Sequence, residues 1–550
     1  MPPMEAHDAW FWFERAWANP YVRWLWWLPL LALLWWLTRR LAYDEHEAHE
    51  PDWKGRRLWF RLERLDWVSL GILAGIGAFL WIGRNSIYPV PPDSIYHLLV
   101  ARQIAETGTI PLWNDWQYAP VGRPHLYPPL FHLLLVGAAG ICGGDFLAGF
   151  RLIETLGLPF IFFTTWYLAR WLYDARRAFA ALLLAGMDYS LVFTAAMGTP
   201  SVLATSFASL LVVFFLSGRV LMASLLGAVM AYTHMGMPPI ALAGLGLFTL
   251  RHRRYLYPYL FILCSTVLVA SPWYARIWVF RDYFVHPLET DAYGSLPTQW
   301  LPLFKITWLQ LVSVIMLVLI VRSVRGLRLH ETRTHMVAAL LLASLPMLTG
   351  YGGRFYTHTL HLWCVWAGGL FSRYLSPPVS GRRIALFLLL ALCPTIALIG
   401  TGTPLKHGAY PAPSAWILPP LVATGGLKIL NGLNPPGYVS WDEAQLVAAR
   451  VEELTGPDDI VYFEWDRDLA LMIAWLAHRK TDTGAWEETQ PKPGARALIE
   501  WTARNDSRAV YVSRSTLGLP EDTTIERVGD LYIAFRREAG PEQHTDAQIR

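Results

Sequence analysis

The stretch PVPPDSIYHLL, residues 89–99, follows an apolar run and a lone arginine, and it carries Asp93, Tyr96 and His97. Asp93 and His97 are spaced i, i+4, which puts both on one face of a helix. A carboxylate in that setting can accept a proton from an incoming nucleophile or hold a divalent cation. An aspartate after two prolines is also a good N-cap, and Gly108 would close a helix that begins there. Both readings stand on the residues alone, and one carboxylate can serve both. Other polar residues share the segment 84–149: Arg102, Glu106, Asp115, Arg123, His125 and His132, set among the aromatics and prolines of LWNDWQYAPVGRPHLYPPL.

Five further residues are candidates. Glu289 and its neighbour Asp291, in VHPLETDAYGSLPTQWLP, are either solvated loop charges or a second functional acid. Arg354, among the glycines of GYGGRFYTHTLHLW, either snorkels to an interface or clamps a phosphate through paired hydrogen bonds. His234 in YTHMGMPP is either a metal ligand or a hydrogen-bonded histidine of a helix bundle. Asp188 in AGMDYS is an acid inside an apolar run, a placement that is functional by default.

The elements that must position these groups are membrane helices. Of 550 residues, 54% are hydrophobic and 16% charged, against about 25% charged in soluble domains. A bilayer crossing needs about 20 apolar residues. Candidates lie near 21–38, 67–83, 150–172, 177–197, 200–218, 220–236, 237–250, 256–275, 305–323, 335–351, 356–375 and 382–400, which makes about 12. The run 128–142 is too short and is expected in the interface. Glu5, Asp8 and Glu14 precede the first run, so a retained helix is expected there in place of a signal peptide. Basic loops collect on the cytoplasmic side. Alternate loops, from RRLAYDEHEAHEPDWKGRRLWFRLER through RWLYDARR, SGR, RHRRY and RSVRGLRLHETR to SRYLSPPVSGRR, are all basic. That alternation places both termini, the loop 84–149 and everything after about 400 outside.

Three regions are expected. Residues 1–66 carry an additional transmembrane helix and a basic cytoplasmic loop, and 67–430 form the main transmembrane domain. Residues 431–550 form an extracytoplasmic α/β domain, in which AQLVAARVEEL reads as helix, GPDD as a turn, and IVYF, RAVYVS and LYIAFR as strands. Cys142, Cys264, Cys364 and Cys393 each sit in apolar sequence, which suggests neither a disulfide framework nor a zinc site. The net charge of +4 is small, and no nucleic-acid partner is expected.

Taken together, these features resemble the GT-C class of membrane glycosyltransferases, and more narrowly the catalytic subunit of the oligosaccharyltransferase. That family opens its first outer loop with an acid soon after a transmembrane helix, the place of Asp93. It carries a glutamate before a Pro and Trp pattern in a later outer loop, like Glu289, and then a transmembrane arginine in an RF setting, like Arg354–Phe355. Its outer domain bears WWDYG, where this chain has EWDRD: Trp465 and Asp466 match, while Glu464, Arg467 and Asp468 differ. Where the family has a second acidic motif, this chain reads AAMGTPSVLA, without a carboxylate.

The resemblance implies a GT-C type polytopic α-helical fold and inverting transfer of a sugar or glycan from a polyprenyl phosphate or diphosphate to an extracytoplasmic acceptor, as in protein glycosylation. It implies that Asp93 and Glu289 are catalytic and hold a divalent metal, Mg or Mn; without the second acidic motif, the metal site is either incomplete or rebuilt with Asp115, His234 or another group. Arg354 would bind the donor phosphate, Trp465 and Asp466 the acceptor, and His97 and Asp115 would lie close by. Two alternatives remain. One is a GT-C enzyme adding a single sugar to a cell-envelope glycan, lipid or hydroxyl. The other is a transporter or non-catalytic scaffold, which the clustering of polar residues in outer loops argues against, since transporters bind near the midplane.

Overall fold

The computed structural model describes residues 57–82, 84, 89, 93–187, 200–283, 332–344, 352–372, 441–463, 467–484, 510–513, 524–529 and 531–535. The spans expected near 21–38, 305–323 and 382–400, and Asp188, lie outside these residues. After α1 (Arg64–Ile82) come α2 (Asp93–Thr107), a small antiparallel hairpin of β1 (Trp113–Asn114) and β2 (Arg123–Pro124), and α3 (Leu130–Ile141). The bundle continues with α4 (Phe146–Leu172), α5 (Ala175–Met187), α6 (Pro200–Leu216), α7 (Val220–Thr233), α8 (Met237–Arg251) and α9 (Leu256–Val279), then α10 (Thr332–Ser344) and α11 (Gly352–Phe371).

Local sequence sets several of these boundaries. Asp145 caps α4, accepting from the N–H groups of Leu147 and Ala148 at 2.8 and 3.0 Å. Pro238 and Pro239 follow Met237 in the first turn of α8, where a missing N–H costs nothing. Gly108, at φ +68°, closes α2 by donating to the Ile104 carbonyl at 2.9 Å, as its place in the sequence predicts.

Among the described residues, three helical stretches are long and apolar enough to cross a membrane: Arg64–Ile82, Phe146–Leu172 and Arg253–Val279. α9 shows why the surroundings are lipid. It exposes Phe261, Val267, Leu268 and Trp278, a continuous apolar face that water would not tolerate on a monomer. The bundle's interior is packed with large rings, including Phe162, Trp171, Phe179, Phe215 and Phe248. α3, at 12 residues, is about 18 Å long and falls short of a hydrocarbon core of about 30 Å. It packs on α4, where a Cβ on Gly149 would lie 2.5 Å from the Ala139 nitrogen, so a glycine is needed for the two backbones to approach.

The C-terminal residues contribute α12 (Trp441–Leu454), β3 (Ile460–Phe463), α13 (Arg467–Leu476), β4 (Lys480–Thr481), β5 (Val510–Ser513), β6 (Thr524–Val528) and β7 (Leu531–Phe535). The five strands form one sheet in the order β4-β3-β5-β7-β6, with β3 parallel to both β4 and β5 and the β5–β7–β6 pairs antiparallel. β3, β5 and β7 coincide with the three strand-like runs of the sequence. β4 and β6 carry no comparable apolar run. The GPDD turn is closed by the Gly456 N–H donating to Asp459 at 2.7 Å.

At the end of the bundle opposite Asp93, Arg170 of α4 bonds Asp66 of α1 through Nε at 3.0 and 3.1 Å and Glu63 through a terminal nitrogen at 2.9 Å. Asp66 is 0% exposed, so removing either partner strands a charge. Asp66→Ala or Arg170→Ala is expected to cost about 3–5 kcal/mol, while the apolar double variant Asp66→Leu/Arg170→Met recovers most of the loss. Thermal unfolding of the three variants in nanodiscs checks both statements.

Candidate active site

α2 is apolar on every side from Ile95 to Ala101 and is accordingly buried on both faces. Leu98 and Ala101 pack on Phe131, Leu135 and Phe150 of the bundle. Ile95, Leu99, Val100 and Ile104 pack against α12, α13 and the C-terminal sheet. Asp93 is the first residue of α2 and is 7% exposed. The helix thus holds a buried carboxylate at its N-terminus, which favours negative charge.

Two hydrogen-bonded pairs brace this helix. Tyr96 Oη and His125 Nδ1 are 3.0 Å apart, and His97 Nδ1 and His132 Nε2 are 2.9 Å apart. The His125 and His132 rings meet edge to face at 5.2 Å, and the His97 ring lies 4.8 Å from Tyr127. Arg123 sits 5.7 Å over the Tyr96 ring. α9 holds the loop from below: Trp273 donates to the Leu126 carbonyl at 3.2 Å, and Arg276 donates to the carbonyls of Leu112 and His125.

The C-terminal residues close the other side. Arg102 donates to the carbonyls of Trp475 and Ala474 at 2.8 and 3.0 Å, satisfying the last turn of α13. Backbone pairing between Ala119 and Thr481, and between Thr481 and Trp116, both at 2.9 Å, covers the β4 edge of the sheet. Gly484 lies against the Tyr118 ring so closely that a Cβ there would overlap it.

The residues expected from the sequence fall as follows. Asp93 and His97 are buried in α2, and Asp115 is exposed beside the β1–β2 hairpin. His234 ends α7; its Nδ1 accepts from the Gly236 N–H at 3.1 Å, and its ring lies near Tyr127 and His358 at 6.3 and 5.6 Å. Arg354 belongs to the first turn of α11. Glu289, Trp465 and Asp466 lie outside the described residues. Sequence reasoning did not single out Trp273 or Arg276, because a Trp and an Arg at the end of an apolar run signal only a membrane interface.

A divalent metal needs several ligands converging on one point. Among the described residues, no group of three or more His, Cys, Asp or Glu is arranged to hold one. His97 and His132 spend ring nitrogens on each other, and His234 spends Nδ1 on its own turn. Of the three expected ligands, Asp93 and His234 are described, and the third, Glu289, lies outside the described residues.

Burial keeps the loop imidazoles neutral. His132 is pushed down to about 3 by burial. His97 and His125 lie well below the ordinary histidine value, first through burial and then because a proton there would be repelled by neighbouring groups: His132, His125 and His234 for the former, His132, Arg123 and Arg276 for the latter. As pH falls below about 6.5, the unfolded chain takes up protons that the folded one refuses, so stability present above that pH is lost below it. The midpoint of thermal unfolding is expected to drop between about pH 7.5 and pH 5, by up to about 1.4 kcal/mol per pH unit for each such group. His132→Leu should flatten that dependence.

No protein-family profile matches the chain, and neither does any curated protein. Solved structures do. ArnT from Cupriavidus metallidurans, bound to undecaprenyl phosphate, aligns with a TM-score of 0.55 at 14% identity, over 86% of this chain and 98% of that one. The arabinofuranosyltransferase AftD from Mycobacteria aligns at 0.53 and 16% identity, over 83% of this chain and 35% of that one. The Archaeoglobus fulgidus oligosaccharyltransferase, tethered to an acceptor peptide containing the NVT sequon, aligns at 0.50 and 14% identity, over 81% and 68%. At these identities the likeness is one of fold, and the chain has the fold of the GT-C membrane glycosyltransferases.

Proposed function

We propose that this protein is a membrane glycosyltransferase that moves a sugar or glycan from a polyprenyl phosphate or diphosphate donor to an acceptor outside the cytoplasm. The observation that carries the reading is Asp93: a carboxylate 7% exposed at the head of α2, in a fold shared with enzymes of this kind. Undecaprenyl phosphate bound to ArnT supports a polyprenyl donor.

In the proposed reaction the acceptor's nucleophile forms a bond to the anomeric carbon as the carbon–oxygen bond to the donor phosphate breaks, with inversion. Asp93 takes the nucleophile's proton on a carboxylate oxygen. Arg354 pairs with the departing phosphate, whose charge grows as the bond breaks. Glu289 assists at the same centre, and Trp465 and Asp466 contact the acceptor.

The acceptor divides the reading. Likeness to an oligosaccharyltransferase with a bound sequon peptide supports an asparagine. Likeness to the arabinofuranosyltransferase AftD supports the other reading, transfer of a single sugar to an envelope acceptor.

Purified protein in nanodiscs, given a lipid-linked donor, is expected to consume it. Asp93→Asn should lower the rate by about 10²–10⁴, the usual contribution of a positioned proton acceptor. Arg354→Ala should lower it by a comparable factor, with Arg354→Lys recovering part. Full activity in both Asp93→Asn and Arg354→Ala would sink the site assignment. Mass spectrometry of secreted proteins and envelope lipids from a deletion strain separates the two acceptors.

A further inference from the structure

The loop that carries the site is tied to the membrane end of α9. Arg276, in the last turn of α9, donates to the Leu112 carbonyl, and Trp113 packs edge to face on Phe280 at 6.3 Å and on Tyr283 at 6.0 Å. The segment running into the hairpin nonetheless turns apolar side chains outward. Leu112 is 56% exposed, and Ile110 and Trp113 are more than a third exposed. In water such a cluster is a liability.

What covers it is indicated by its neighbours. Trp278, 68% exposed, and Val279 end the lipid-facing surface of α9, and the Ile110–Trp113 segment continues from that surface through the Arg276 and Phe280 contacts. The level of the headgroups is marked twice. At the end of α1, Arg84 lies 4.3 Å over the exposed Trp81 ring and donates to the Trp81 carbonyl at 2.7 Å. At the end of α9, Arg281 lies 4.9 Å over Trp278 and donates to its carbonyl at 3.2 Å. The same Trp–Arg pair, spaced i, i+3, thus ends two helices. An indole at the acyl boundary with a guanidinium reaching past it is what an interface selects.

We infer that the segment Ile110–Trp113, with Phe280 and Tyr283, lies in the headgroup and upper acyl region of the leaflet at the Asp93 end, so that the loop bearing α2 rests on lipid. The partner is the phospholipid surface itself. The trunk of this loop is fixed to α9 through backbone carbonyls, so its apolar tip cannot lift from the membrane without breaking the Arg276 contacts. Lipid in this way sets the height at which Asp93 is presented. The inference is independent of the reaction proposed above.

The test uses full-length protein in phospholipid nanodiscs, with Cys142, Cys264, Cys364 and Cys393 replaced by serine. Single cysteines are introduced as Leu112→Cys, Ile110→Cys, Val279→Cys for a membrane-facing reference and Asp458→Cys for a water-facing one, since the Asp458 side chain is 94% exposed. Each is labelled with an environment-sensitive fluorophore. It is then challenged with nitroxide lipids labelled near the carbonyl end of the acyl chain, or with aqueous iodide. Labels at Leu112 and Ile110 should show blue-shifted emission like Val279. The nitroxide lipid should quench them several-fold more than it quenches Asp458, and iodide several-fold less. Quenching by iodide at the Asp458 level with no response to nitroxide lipid overturns the inference. Protection from both quenchers overturns it as well, because it means that protein covers the segment. Two positions are used so that one poorly folded variant does not decide the result, and each labelled protein is checked against the parent by thermal unfolding.

Discussion

The arrangement rests on a stretch of helix, Asp93 to Ala101, with no water-facing side. Most helices outside a bilayer bury one stripe and solvate the other. α2 buries both, one against the bundle through Leu98 and Ala101, the other against the C-terminal residues through Ile95, Leu99 and Val100. A helix so enclosed must answer for every polar atom it carries, since an unpaired buried group costs about 1–3 kcal/mol. Tyr96, His97 and Arg102 are each answered by a named partner: His125, His132, and the carbonyls that end α13. The polar chemistry of the loop is therefore also its mechanical frame, and Asp93 inherits its fixed position from contacts made by its neighbours.

Much of this was legible in the sequence, unevenly. Apolar length located α1, α4 and α9, because lipid demands the same composition wherever a helix crosses. Gly108 marked the end of α2, since only its backbone freedom suits the turn. Apolar β-rich runs located β3, β5 and β7. β4 and β6 escaped because β4 is two residues long and β6 alternates half-buried and exposed positions at the sheet edge. The site was legible in its residue types and not in its pairings. Nothing in the spacing of His97 and His132, or of Tyr96 and His125, says that they share hydrogen bonds, because those contacts depend on how α3 folds back on α2. Trp273 and Arg276 were hidden for a different reason: a membrane boundary calls for the same residues that here hold a loop by its carbonyls.

The histidines illustrate how burial changes a residue's meaning. In the sequence, His234 is offered as a metal ligand, while His97, His125 and His132 stand out only as polar residues of one segment. In the structure, ring nitrogens are committed to one another and to backbone, and burial favours the neutral form. His125 and His132 each bridge through one nitrogen, while His125 Nε2 and His132 Nδ1 are buried without a hydrogen-bond partner.

The contacts that close the site have an implication for timing. Arg102 meets Trp475 and Ala474 across more than 370 residues of chain, and Thr481 meets Trp116 across 365. During synthesis the first half of the bundle exists for many seconds before either partner has been made, at rates of about 5–20 residues per second. Until then α2 has one of its two faces bare, and the helix bearing Asp93 is only half enclosed. The site is thus completed by residues made 365–373 positions after the groups they meet, so chains that stop before them lack the assembled centre.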